Sequence, residues 1–320
     1  MGNIDRRNFI KTSALGAASL SLPNAVFSQS HQVKALQNPI CVFTKHLQWL
    51  DFEDLGKYIS DVGFDGIDLT VRKGGHIEHD VAAKVLPDAI EKIQKSGVNV
   101  PMMVTSINDP DDPVAEPLLK SAGENGVQYY RMAYLRYDEK AGIEEHLIAL
   151  REKVARLAKL NEKYGIHGAY QNHAGERVGG PVWDLWYLLK DLDSKWIGIQ
   201  YDIRHATVEG GNSWPTGLKL VKDFVKCTAI KDFKWIQTDG GSWKPQTIPL
   251  GEGMVDFKRY FELYKSLNIA GPITLHFEYP IYEQEEKSLT KKEKMKFART
   301  VMAKDLEKLR DDLGKAGIMK

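Results

Sequence analysis

The sequence has little that would tie it to nucleic acid, to a nucleotide cofactor or to a bilayer. Its 320 residues carry a formal net charge of only +1. A basic face of the kind nucleic acid selects is therefore not expected, and neither is a nucleic-acid partner. No G-x-G-x-x-G follows the first apolar run and no P-loop occurs anywhere, which argues against a doubly wound nucleotide-binding sheet. The pairs Gly210-Gly211 and Gly240-Gly241 lack phosphate-loop spacing. A serine nucleophile elbow, an H-E-x-x-H helix and a C-x-x-C pair are also missing, so three common hydrolytic and redox chemistries have no carrier. Proline, glycine and serine never gather into a linker, and one domain is the simpler reading of this length. There are two cysteines, Cys41 and Cys227, each inside an apolar run. Both read as buried structural thiols; an oxidising compartment would permit a disulfide that sequence cannot pair.

What is present begins at the N-terminus. Arg6-Arg7, then Phe9 and Lys11, precede an uncharged, mildly apolar stretch from Thr12 to Leu22. That pattern resembles a twin-arginine export signal, and the stretch is shorter than the ~20 residues a membrane-spanning helix needs. Residues 1–30 are read as the signal and 31–320 as the folded part. The mature chain is then expected in the periplasm or outside the cell, without membrane attachment. The charged segment from Lys287 to Lys320 reads as a solvated amphipathic helix.

Short apolar or β-branched runs alternate with helix-length segments through the rest of the chain. Strands are expected at 39–44, 66–71, 98–105, 127–133, 168–172, 196–202, 227–231 and 272–278. Helices are expected at 51–62, 81–96, 114–124, 143–164, 182–192, 217–225, 255–267 and 289–313, with a long loop over 233–254. Asp51 is a candidate N-cap and Gly63 a stop signal. Eight strand–helix repeats in one alternating series predict a single (β/α)8 TIM barrel.

Four of the strands end in polar, ionisable clusters: AYQNH (169–173), YDIRHA (201–206), AIKD (229–232) and HFEY (276–279). Side chains alternate along a strand. Ala169, Gln171 and His173 therefore share a face, as do Gln200 and Asp202, Ala229 and Lys231, and Thr274, His276 and Glu278. These sets are small or polar and should point to the barrel centre, while Tyr170, Ile199, Tyr201, Ile230, Leu275 and Phe277 face the helices. Several polar residues at one end of a barrel imply a wet, functional cavity.

On these segments, and on GFDGIDLTV (63–71), the chain resembles the sugar phosphate isomerase/epimerase group with its xylose isomerase-like TIM barrel. The resemblance implies a divalent metal held by Glu, Asp, His and Glu from strands five to eight, and proton transfer beside a carbonyl. Carried over by position, Gln171 stands where the first Glu is expected, Asp202 is retained, Ala229 stands where the metal His is expected, and Glu278 is retained. Two of the four ligands have changed. A weakly held Mn²⁺ or Mg²⁺ on Asp202, Glu278 and Gln171 is one expectation. A metal-free site in which Lys231 supplies the positive charge is the other. Glu278, His173, His205 and Lys231 are the candidate catalytic residues; the plain structural alternative for the two acids is a buried ion pair with Lys231. Arg72, His76, Arg131 and Trp235 are candidate substrate contacts, with Lys45, His46 and Trp243 as further rim positions, and His276 is read as structural. The expected ligand is a small sugar or glycoside, and a homo-oligomer is left open. The expected activity is that of an exported sugar isomerase or epimerase; a 3-keto-glycoside lyase or hydratase, and an inactive carbohydrate-binding barrel, stand as alternatives.

Overall fold

Eight parallel strands close on themselves in the computed structural model, which describes residues 37–282 and 286–319. The export-signal reading of residues 1–30 lies outside the described residues. Around the ring, β1 (Ile40–Phe43), β2 (Gly66–Val71), β3 (Asn99–Thr105), β4 (Tyr129–Arg131), β5 (His167–Gln171), β6 (Ile197–Asp202) and β7 (Val225–Ile230) are neighbours in chain order. The last barrel strand, β10 (Ile273–Leu275), lies between β7 and β1 and shuts the barrel. The expected (β/α)8 architecture is therefore the observed one.

Between the strands run α1 (Phe52–Val62), α2 (Ala82–Gln94), α3 (Ala115–Glu124), α4 (Ile143–Tyr164) and α5 (Val182–Leu189). The start and stop of α1 follow directly from its sequence. The Asp51 carboxylate accepts from the Asp54 amide, and Gly63 ends the helix with φ 103°, which a β-carbon would resist. Leu55, Tyr58 and Ile59 line its buried face. Truncating the fully buried Leu55 to alanine would cost about 2–5 kcal/mol. Strand β2 is buried at all six positions, as expected where helices cover one face of a strand and the barrel interior the other.

The structure departs from the sequence reading in two places. Helix 217–225 is replaced by two shorter ones, α6 (Ile203–Gly210) and α7 (Trp214–Val221), and Val225 already belongs to β7. The chain passes from β6 into α6 with no loop, because the Asp202 side chain caps the helix by accepting from the His205 amide at 3.1 Å. Second, the expected loop over 233–254 contains an antiparallel hairpin, β8 (Asp232–Gln237) with β9 (Trp243–Ile248). Helices α8 (Phe257–Ser266) and α9 (Lys291–Lys315) complete the outer layer, α9 packing on both α8 and α1.

The inward and outward faces are those expected from strand alternation. Ala169 packs inside the barrel with Met102 and Cys227, whereas Tyr170, Ile199, Tyr201, Ile230, Leu275 and Phe277 join the large core beneath the helices. Cys41 and Cys227 are both buried free thiols.

Candidate active site at the C-terminal mouth of the barrel

Lys231 follows β7 by one residue and is 3 % exposed. Its Nζ stands 2.9 Å from Asp202 Oδ2, 3.0 Å from Glu278 Oε2 and 3.0 Å from His205 Nε2. Three of the four polar strand ends thus converge on one ammonium group. The fourth joins through Gln171, whose Nε2 donates to Asp202 Oδ2 at 2.7 Å. Behind it, Gln171 Oε1 accepts from Arg131 at 3.1 Å and from the Tyr134 hydroxyl at 2.6 Å. Arginine can only donate, so the amide oxygen must face Arg131 and the amide NH₂ must face Asp202.

Charge follows from these contacts. Burial raises the Asp202 carboxyl and is opposed chiefly by Lys231; the net direction is upward. Glu278 is also pushed up by burial, but Lys231 and His276 outweigh this and hold it well below the usual carboxylate range. Burial lowers Lys231, yet Asp202 and Glu278 leave it above an ordinary lysine. Lys231 is therefore a desolvated cation shared between two carboxylates. Lys45 adds a looser contact to Glu278 at 3.8 Å from a half-exposed position.

His205 sits between two cations. Arg204 approaches its Nδ1 at 2.9 Å and Lys231 its Nε2 at 3.0 Å. A neutral imidazole has one lone pair, so one of these contacts meets an N–H, and burial drives the ring well below the ordinary histidine range. The conflict is relieved whenever Lys231 gives up a proton or a ligand draws it away. His173 stacks on His205 with ring centres 3.8 Å apart. Its Nδ1 faces the Ala174 carbonyl at 2.8 Å and must donate there. That leaves the lone pair on Nε2, and burial lowers the ring to about 4, so it is unprotonated at neutral pH.

The described residues do not fit a divalent cation. None of them form a cluster of three or more His, Cys, Asp or Glu placed to hold one. Gln171 turns a donor, not its oxygen, toward Asp202, and Ala229 has nothing to offer. The remaining pair, Asp202 and Glu278, already shares the Lys231 ammonium. Gln171 thus gives Asp202 a donor where a carboxylate would give it a second acceptor.

Not every candidate residue joins the cluster. Arg131 reaches it through Gln171. Arg72 lies with its guanidinium carbon 5.8 Å from the Phe43 ring, close enough to feel Arg131, Tyr134 and Glu278. His76 spends both ring nitrogens on the barrel wall, Nδ1 on Thr70 Oγ1 of β2 at 3.1 Å and Nε2 on the carbonyl of Leu47, in the turn after β1, at 3.0 Å. His276 stacks on Phe43 at 4.5 Å without a hydrogen bond to either nitrogen. His46 contacts the Met302 sulfur at 3.3 Å and Phe277. Trp235 and Trp243 stand on the hairpin, 40 % and 63 % exposed. Arg204 ties that hairpin to the mouth by donating to the Pro245 carbonyl at 3.0 Å.

Sequence reasoning missed Tyr134, Arg177, Arg204 and Asp68. Asp68 had a readable signal, a lone acid inside the β-branched run 66–71. It is fully buried on β2, and neither carboxylate oxygen has a hydrogen-bond partner. Burial pushes it up to about 7, against the pull of Arg131 and Arg72; Gln200 lies nearby but outside hydrogen-bond geometry.

A family model described as "Xylose isomerase-like TIM barrel" matches residues 57–301. No curated protein matches the chain. Among solved structures, a D-tagatose 3-epimerase-like protein superposes with a TM-score of 0.63 at 16% identity, covering 87% of this chain and 98% of its own. The apo form of 3-keto-D-glucoside 4-epimerase from E. coli gives a TM-score of 0.63 at 16% identity, over 86% and 100%. A xylose isomerase-like TIM barrel protein from Mycobacterium smegmatis, in complex with magnesium, gives 0.63 at 14%, over 87% and 97%. At such identities these likenesses establish the fold alone.

Proposed function

Because the chain belongs to the xylose isomerase-like TIM barrel family, we propose that it binds a carbohydrate at the C-terminal mouth and moves a proton on a carbon beside a carbonyl, as an isomerase or epimerase does. One observation carries this reading: Lys231 Nζ is held between Asp202, Glu278 and His205. A fixed cation in a dry site stabilises a developing enolate oxygen, and preorganised charge of this kind is commonly the largest catalytic contribution. Lys231 supplies that charge from the chain itself.

The proton needs an acceptor. His173 presents the Nε2 lone pair beside His205, and it is the base we assign. Glu278 is the more solvent-facing of the two acids, its side chain 28% exposed. While Lys231 holds it, it is a poor base; a sugar oxygen that takes over a Lys231 N–H would free it. His205, caught between two donors and held neutral by burial, is a positioning group for the Lys231 ammonium. The named epimerases among the structural neighbours lend the reading support, and the missing metal donors set this chain apart from the metal-dependent form of the chemistry. Export remains part of the proposal and rests on the Arg6-Arg7 segment.

The test is deuterium uptake. Mature protein treated with EDTA would be incubated in D₂O with hexoses and with 3-keto-glucosides, and carbon-bound deuterium followed by NMR. Uptake should persist without metal and disappear in Lys231→Met and His173→Gln. Release of an aglycone would redirect the reading to a lyase. Sugar binding without exchange would leave a binding protein, and exchange that requires added Mn²⁺ would sink the lysine mechanism.

A further inference from the structure

Positive charge exceeds negative charge on the side of the mouth built by β2, β4 and the loop after β5. Arg131 ends β4 and Arg177 stands on that loop; their guanidinium carbons lie 5.0 and 4.8 Å from the centre of the Tyr134 ring. Arg72, just past β2, is half-buried and close enough to Arg131 for the two charges to repel. Arg131 and Arg177 therefore share one tyrosine ring, and Arg72 lies within electrostatic reach of Arg131 and of that tyrosine.

None of the three forms an ion pair with a carboxylate among the described residues. Arg131 is 5 % exposed, donates only to the neutral Tyr134 and Gln171, and leaves its Nε without a partner. The acids within reach do not answer this charge. Asp68 makes no hydrogen bond, and its burial favours the neutral carboxyl. Glu278 is engaged by Lys231 and Lys45. A desolvated, unpaired guanidinium is costly, and the cost is offset where a bound anion completes the arrangement. The planar fork of arginine matches a carboxylate in particular. Tyr134 also packs edge-on against His173 with ring centres 4.9 Å apart, so an anion held here lies beside the assigned base and not on it.

We propose that the ligand is an acidic sugar, a carbohydrate bearing a carboxylate, whose anionic end is held by Arg72, Arg131 and Arg177 while its reacting carbon faces Lys231. The proposal rests on the sugar reading above and names the substrate class of that same site.

Calorimetric titration at low ionic strength tests it, with D-glucuronate and D-galacturonate against D-glucose and D-galactose, and D-glucose 6-phosphate as a further arm. The uronates should bind at least about tenfold tighter than the matched hexoses, and the advantage should shrink with added salt. Arg72→Gln and Arg177→Gln should each collapse that ratio. Arg177 lies on a surface loop, so its variant keeps the test open should Arg72→Gln fold poorly. Equal affinity for acids and hexoses, a ratio unchanged in both variants, or no binding of either class would overturn the proposal. Tighter binding of the phosphate ester than of the uronates would overturn the carboxylate assignment. Deuterium uptake in the same samples separates this inference from the reading beneath it. Exchange on hexoses without a preference for acids sinks the inference alone. A clear preference for acids without exchange keeps it and sinks the proton-transfer reading.

Discussion

Asp202 and Asp68 are both fully buried carboxylates on the inner face of barrel strands, and their surroundings handle the burial in opposite ways. Asp202 is met by Lys231, by the Gln171 amide and by the His205 backbone N–H. Asp68 is met by no hydrogen bond at all, although two arginines lie within electrostatic reach. The first region is closed: Lys231 and the two carboxylates partner one another, and a metal ion would have to displace Lys231 to enter. The second is open: acid and arginines stand near one another without joining. A binding site needs both kinds of region, one that holds the reacting groups still and one that leaves unmet polarity for the ligand.

The comparison breaks most severely at its closed end. Lys231→Met leaves the buried Asp202 carboxylate without its cation, beside the part-exposed Glu278. A loss of about 3–5 kcal/mol is expected, read as a lower denaturant midpoint, and Asp202→Asn in the same chain should recover part of it. If Lys231→Met were as stable as the parent, the ion-pair account of the site would fail.

Asp68→Asn acts at the open end and in the opposite direction. The folded-state carboxyl is raised to about 7, above its unfolded value. The unfolded state therefore binds the proton less tightly, and stability is lost as pH climbs toward 7. The asparagine variant should match the parent near pH 4 and exceed it by about 4 kcal/mol at pH 8. Thermal melts at both pH values check this, and an equal effect at both would show that Asp68 is not the titrating group.

The smallest effect is expected where the two regions meet the solvent. Lys45 reaches Glu278 at 3.8 Å from a side chain that is 52% exposed. Lys45→Ala should change stability by less than about 1 kcal/mol. A larger loss, measured in the same denaturant titration, would mean that Glu278 depends on Lys45 as well as on Lys231.

Much of this architecture was legible from the chain. The eight strands are short apolar runs separated by capped helices, and strand alternation alone put Gln171, Asp202, Lys231 and Glu278 on the inner face. The hairpin was less visible because its strands, 232–237 and 243–248, flank Gly240-Gly241 and carry many polar residues. Helix α6 was hidden because its cap, Asp202, is also the last residue of β6. The polarity of the site was beyond sequence reading for a different reason. Whether Gln171 offers Asp202 an oxygen or an NH₂ is decided by Arg131, 40 positions away, and by its inability to accept a hydrogen bond.

Asp232, last residue of the AIKD segment, collects four backbone N–H groups: Phe233 and Val255 on one oxygen, Gly251 and Gly253 on the other. A β-carbon on Gly253 would fall 2.1 Å from that carboxylate, so the approach is available to glycine alone. The two ends of the 232–255 excursion are thereby clasped at a single side chain next to Lys231. What lies between can change length or sequence without passing strain to the barrel, since loops anchored at their ends tolerate insertion well. In evolutionary terms the hairpin is an exchangeable cassette plugged into a fixed socket.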